Sequence, residues 1–280
     1  MTLDIEAGLR RPKIDMHCHV WQMPSDADAV VSSQQLIKAG EMLGITEYWC
    51  SSPLTDGVLA PIEEVRVEND RVMAAARHFP DQIRGMCFVI AGHYKDALDE
   101  INRCLDAGMI GIKLYNQYRI NDPAVYPVIE LAIDRRVPIL EHAGKPPPEG
   151  LVRQPLISWG THFAEVNERY PEAMLIHAHI VGGGDWETTV RQMRDASPNL
   201  YCDISGSNLD DGAIEYAVSE MGAERILFGT DGTMAGSVGK VLDASITDEE
   251  KDLIFWGNAE RILAAQGKKP TVPRTGEVAR

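Results

Sequence analysis

Two histidines one residue apart, His17 and His19, close the apolar run Ile14-Asp15-Met16-His17-Cys18-His19-Val20. In an extended strand alternate side chains share a face, so the two imidazoles project together, with Met16 and Cys18 on the opposite side. Two imidazoles on one face can share a cation. A His-x-His is also short enough to recur by chance as an ordinary pair of core or surface histidines, so its weight depends on its company. Ligand-type residues close later apolar runs as well: Lys113 the fourth, His142 the fifth, His177 and His179 the sixth, and Asp231 the eighth. Five of the eight histidines fall at such ends, whereas His78, His93 and His162 read as helix-end or loop residues.

The elements that must position these groups follow from the same runs. Apolar, β-branched stretches begin near Ile14, Ile45, Arg84, Ile110, Val137, Met174, Leu200 and Ile226. They recur at the rhythm of a strand followed by a helix, which predicts a single-domain α/β protein, a (β/α)8 TIM barrel. Between them, Ala97–Leu105 carries apolar groups at helical spacing with Gly108 where the helix would stop, and Tyr126–Arg136 and Glu187–Ala196 read the same way. Thr247 with Glu250 forms a capping box that should open a last helix running toward Leu263. The barrel is expected over residues 1–266, and residues 267–280, basic and without apolar periodicity, as a poorly ordered tail. Barrel enzymes place reactive groups at the carboxyl ends of strands, where the histidines, Lys113 and Asp231 fall.

Composition narrows the partners. The chain has 280 residues, 44% hydrophobic and 25% charged, with a formal charge of −15, which argues against nucleic acid and anionic membranes. No apolar stretch is long enough to span a bilayer, and Met1 to Pro12 lacks the apolar core of a secretory signal, so a cytoplasmic location is expected. Five cysteines, an odd number without C-x-x-C spacing, suit reduced thiols buried as small hydrophobes, with Cys50 the one placed to line a pocket. A small-molecule substrate is the expected partner, and any homo-oligomer is expected to be a dimer.

The set His17-Cys18-His19, Glu141-His142-Ala143-Gly144, His179-Ile180-Val181-Gly182-Gly183, Gly229-Thr230-Asp231 and Gly257-Asn258-Ala259-Glu260-Arg261-Ile262-Leu263 resembles the amidohydrolase superfamily. More narrowly, it resembles the amidohydrolase-related branch of metal-dependent hydrolases and decarboxylases. The resemblance runs from the first apolar run to the final helix. It implies a barrel with a divalent metal in its mouth, held by His17, His19, His142 and Asp231, with zinc expected first and manganese as the alternative. Such a metal lowers the pKa of bound water from about 15.7 to about 7 and polarises a carbonyl. Asp231 would then serve as the base that takes the proton of water, even while touching the metal.

Family spacing before the glycines makes His179 the functional histidine of the sixth run, contacting metal, orienting the substrate carbonyl or donating a proton. His177, two residues earlier, should face the same way one layer deeper, as its support or as a barrel-lining residue. In binuclear members of the superfamily a lysine placed like Lys113 is carboxylated and bridges two metals. The nearer branch holds one ion, and there a free Lys113 would face a substrate carboxylate or oxyanion. Lys145 and Arg119 are placed to hold an anionic substrate group, with a solvated surface charge as the ordinary alternative. Asp203 and Ser205 would line the pocket or satisfy backbone groups, and Trp21 would form an aromatic wall or pack in the core. Gly182-Gly183-Gly184 reads as a tight turn that could also expose N–H groups to an anion.

These expectations lead to a metal-dependent hydrolase acting on a small carbonyl compound, a lactone or other ester first and a cyclic amide second, with an anionic substrate compatible where local Lys or Arg surrounds the site. The same barrel could instead house a non-oxidative decarboxylase. A barrel that binds without catalysing is the remaining alternative, against which the complete ligand set argues.

Overall fold

The computed structural model describes residues 5–55, 57–180, 184–206 and 210–271. Eight parallel strands stand in sequential order: β1 (Lys13–His19), β2 (Ile45–Ser51), β3 (Ile83–Phe88), β4 (Gly111–Leu114), β5 (Ile139–Glu141), β6 (Leu175–His177), β7 (Leu200–Asp203) and β8 (Ile226–Leu227). The bond from Met16 N–H to the Phe228 carbonyl (3.0 Å) brings the two ends of the sheet together, so the strands form a nearly closed barrel. Helices follow the strands on the outside, which is the (β/α)8 architecture the apolar runs predict.

Two apolar layers account for the shape. Ile14, Met16, Trp49, Met86, Leu140, Ile176, Tyr201 and Leu227 fill the barrel interior, and Ile262 and Leu263 of the terminal helix close its floor. Their strand neighbours Cys50, Cys87, Ile112, Leu114, Ile139, Leu175 and Cys202 face outward and pack against the helices. The alternation of strand side chains thus serves two cores at once. All five cysteines are free and buried, and Cys50 lies in the outer layer rather than along a pocket.

Local signals act where the sequence places them. Thr247 Oγ1 accepts from Glu250 N–H (3.2 Å) and Glu250 accepts from Thr247 N–H (2.7 Å), opening the helix Asp248–Asp252. That helix passes through a π segment, Leu253–Gly257, into the helix Asn258–Ala265, so the last helix is continuous but not uniformly wound. The segment expected as a loose tail is held at its start. Lys268 Nζ donates to the Met109 carbonyl (3.1 Å), and Thr271 donates through N–H (2.8 Å) and Oγ1 (2.6 Å) to Glu47. The remainder of that expectation, residues 272–280, lies outside the described residues. Among the described residues no helix is long and apolar enough to cross a membrane.

Candidate active site

At the carboxyl end of β1 the strand departs from regular pairing with β2 between Asp15 and Cys18. This irregularity overturns the simple alternation expected there: Met16 joins the barrel interior while Cys18 turns outward. Asp15 holds the irregular segment. It is fully buried, accepts from the N–H groups of His17 (3.2 Å) and Thr230 (2.9 Å), and takes the Thr230 hydroxyl (2.6 Å). Burial pushes its carboxyl up to about 6, against the pull of these donors.

His17 sits at the centre of the mouth. Its Nδ1 donates to Asp203 Oδ2 (2.9 Å), which leaves Nε2 as an acceptor facing the Lys113 ammonium (3.0 Å). Asp203, at the end of β7, also accepts from the N–H groups of His179 (3.0 Å) and Ser205 (2.9 Å) and from the Ser205 hydroxyl. Burial alone would raise the Asp203 carboxyl, but His17, His179 and Ser205 together hold it well below the ordinary carboxylate range. Asp203 is therefore an ionised hub that fixes three neighbours at once.

His19 lies beside it with Nδ1 close to the carbonyl (3.3 Å) and hydroxyl (3.2 Å) of Ser51. Its Nε2 lies 2.9 Å from Asp231 Oδ1, a close pairing of imidazole and carboxylate. Two such donor atoms converging beside His17 could share a cation. Trp21, half-exposed, lies against the His19 ring with centroids 4.0 Å apart, as an aromatic wall on the outer side. Asp231 follows β8 in the left-handed region (φ 46°), with its N–H tied to the His17 carbonyl (2.8 Å). Burial opposes its charge, but His19, His17 and His179 keep it well below the usual carboxylate range.

His179 is also left-handed (φ 61°). β6 ends at His177, and the reversal after it swings His179 into the mouth, where Nδ1 meets Ser205 Oγ (2.8 Å) and Nε2 meets His142 Nδ1 (3.1 Å). His177 does not follow. It faces the outer layer against the Phe163 ring (centroids 4.8 Å apart), and neither of its nitrogens has a partner. The expected role of His177 as a support or barrel-lining residue is thus corrected, because the strand ends between the two histidines. His142 stacks on Tyr115 (4.1 Å, 14° between planes) and turns Nε2 toward Gln154 Oε1 (3.2 Å).

Lys113 lies between Ile112 and Leu114, which face the helices, so it points into the barrel and is fully buried. Burial pulls it down to about 8, opposed by Asp231, Asp203 and Glu141. Burial likewise lowers His19 to about 4 and His179 to about 3, and takes His142 well below its ordinary value. These imidazoles are neutral at pH 7, as metal ligands must be.

Donor atoms of His17, His19 and Asp231 lie within 4.8 Å of one another, and so do those of His17, His179 and Asp203. In the second set the donors are already engaged by each other and by Ser205, whereas the first brings the Nε2 of His19 and the Asp231 carboxylate together beside the His17 Nε2 that Lys113 contacts. His142 belongs to neither set but touches His179.

Other expected substrate contacts are used elsewhere. Arg119 donates to the Pro155 carbonyl (2.9 Å) and lies over the Trp159 ring (5.4 Å), which makes it a brace for the segment after β5 rather than a free anion ligand. Lys145 donates to Asp185 (2.6 Å). Ser205 is buried between His17, His179 and Asp203 and orients them. Gly182 and Gly183 lie outside the described residues. Asp15 and Gln154 were not singled out by the sequence; a carboxylate inside the apolar run Ile14-Asp15-Met16 was the available sign for the first.

An irregular first strand, a histidine-rich mouth and a carboxylate after the last strand together make up the open end of this barrel. The sequence profile of the amidohydrolase family matches residues 14–264, and the chain belongs to that family. No curated protein matches it. Among solved structures, 2,6-dihydroxybenzoate decarboxylase from Rhizobium is similar at 18% identity and TM-score 0.72, over 90% of this chain and 98% of that one. A dihydroxybenzoic acid decarboxylase from Polaromonas sp. JS666 with bound manganese matches at 18% identity and TM-score 0.70, over 90% and 96%. 4-Oxalomesaconate hydratase from Rhodopseudomonas palustris matches at 15% identity and TM-score 0.68, over 91% and 96%.

Proposed function

We propose that this amidohydrolase-family barrel is a metal-dependent hydrolase of a small carbonyl compound, a lactone or other ester before a cyclic amide. The observation that carries the reading is the convergence of His17, His19 and Asp231, whose donor atoms lie within 4.8 Å of one another, with His19 Nε2 2.9 Å from Asp231 Oδ1. His17, His19 and Asp231 would hold one divalent ion, zinc before manganese, while His142, engaged by His179 and Gln154, lies outside that set. When bound, the ion supplies Lewis acidity to a carbonyl and acidifies water. Asp231 Oδ2, 3.9 Å from His179 Nε2, is the free carboxylate oxygen of the mouth and serves as the base. His179, neutral and donating its Nδ1–H to the Ser205 Oγ that is itself bonded to Asp203, turns the Nε2 lone pair into the mouth, where it would contact the ion or take up a proton. Lys113 is unmodified in this reading and adds positive charge below the reacting carbonyl. Buried free thiols suit the reducing cytoplasm.

A decarboxylase on the same residues is the second reading, favoured by the two decarboxylases among the similar structures, one of them holding manganese. The test is elemental analysis of the purified protein together with Asp231→Asn assayed on a lactone and aromatic-acid panel. Near one metal per chain and a loss of turnover of about 10²-fold or more in a folded variant support the base role. Retained turnover in the variant sinks it, and release of CO2 in place of an acid selects the decarboxylase.

A further inference from the structure

Between β5 and the helix Gly160–Arg169 the chain builds a wall that the proposed chemistry does not use. Gly144 N–H donates to the Ser158 carbonyl (2.8 Å), Asp185 N–H donates to the Lys145 carbonyl (2.9 Å), and Arg119 holds the Pro155 carbonyl (2.9 Å). Pro146, Pro147 and Pro148 stiffen the entry to the short helix Pro148–Arg153. The wall encloses a cavity of about 400 Å³ that opens on His142 and His179, with Ala143, Pro146 and Ile157 as apolar lining and Arg153 and Lys145 as its cations. No acidic residue lines it among the described residues, although the chain carries a net charge of −15.

The two cations differ. Lys145 is neutralised by Asp185 at 2.6 Å. Among the described residues the Arg153 side chain, exposed at the opening of the cavity, has no hydrogen-bond or ion-pair partner. A guanidinium presents paired donors that match the two oxygens of a carboxylate, so an unpartnered one in a carboxylate-free, partly apolar cavity beside reactive imidazoles suits an organic acid.

We propose that Arg153 anchors a carboxylate of the substrate, which makes the substrate class a small organic acid with an apolar body seated against Ile157 and the prolines. This rests on the reading of the adjoining mouth as the reaction centre, but the binding it predicts does not require turnover. Arg153 is a specificity-determining residue, and Lys145 fixes the loop through Asp185.

The test is calorimetric titration of benzoate and its neutral counterpart benzamide into wild type, Arg153→Gln, Arg153→Lys and Lys145→Gln, with metal content measured on the same samples. Wild type is expected to prefer benzoate by at least about tenfold, Arg153→Gln to lose that preference, and Arg153→Lys to keep part of it. Lys145→Gln should retain the preference. Equal binding of the two probes by wild type, binding of neither, or an undiminished preference in Arg153→Gln overturns the proposal. An Arg153-dependent preference in protein that takes up no metal would sink the metal mechanism and leave the anchor standing. Metal uptake without the preference would do the reverse.

Discussion

His177→Leu should stabilise this protein and make it more resistant to acid. The imidazole is fully buried against Phe163 on the helix side of β6, with both nitrogens unpartnered. An unsatisfied buried polar group costs about 1–3 kcal/mol, a cost that an apolar side chain of similar shape does not carry. Burial also lowers the pKa of His177 from 6.5 to about 4, a difference worth about 3 kcal/mol. The sign follows from proton uptake: as pH falls below 6.5 the unfolded chain binds a proton that the folded chain refuses until about pH 4. Stability therefore drops across that window in wild type, and this contribution vanishes in the variant. Urea melts at about pH 7 and about pH 4.5 would measure both effects. At neutral pH the transition should move to higher denaturant, with a thermal midpoint raised by roughly 2–4 °C per kcal/mol. The gap between variant and wild type should widen at the lower pH. A destabilised variant, or one with the acid loss of wild type, would refute the reasoning.

Two other perturbations test how the mouth and the floor are held. Gly184→Ala introduces a Cβ about 2.0 Å from the Lys145 carbonyl oxygen at a positive φ of 69°, a backbone clash that only movement of the 144–147 loop relieves. It is expected to lower the melting temperature by several degrees, and an unchanged melt would contradict the clamp between these loops. Truncation after Gln266 removes the bonds from Lys268 to Met109 and from Thr271 to Glu47, together with the Lys269 carbonyl that Arg84 contacts. A loss on the order of 2 kcal/mol in a urea melt is expected, with reaction-centre residues untouched, and no loss would show that these bonds merely exchange with water.

The barrel was legible because its strands are apolar runs closed by polar residues, and because the rhythm of strand and helix constrains topology more tightly than any single run does. The contents of the mouth were legible for the same reason: His17, His19, His142, His179 and Asp231 all end runs. Direction was harder to read. Parity along a strand is meaningful only while the strand lasts, and β6 ends at His177, so the two-residue spacing to His179 carries no information about facing. β1 fails in another way, since its irregularity at Asp15 to Cys18 puts Met16 inside the barrel with the chain still extended. Long-range pairing was also invisible. Arg119 and Lys145 look free in sequence, but their partners Pro155 and Asp185 stand 36 and 40 residues away. Arg153, which lies on a short helix without apolar periodicity, gave no sign of the cavity it faces.

The two left-handed residues of the mouth, His179 and Asp231, connect these observations. Neither is glycine, so each holds a conformation that local energetics disfavours, and each is held from outside. His179 N–H is bonded to Asp203, and Asp231 N–H to the His17 carbonyl, so the groups that orient the imidazoles also fix the strained backbone. Asp203 stands at the junction, since one carboxylate sets the His17 ring, the Ser205 hydroxyl and the His179 turn. Losing it would leave His17 without its Nδ1 acceptor and release the turn that carries His179 into the mouth. Asp203 is thus a positioning residue for His17 and His179, and the turn it holds leaves the His179 ring facing Asp231 at 3.9 Å instead of along its strand.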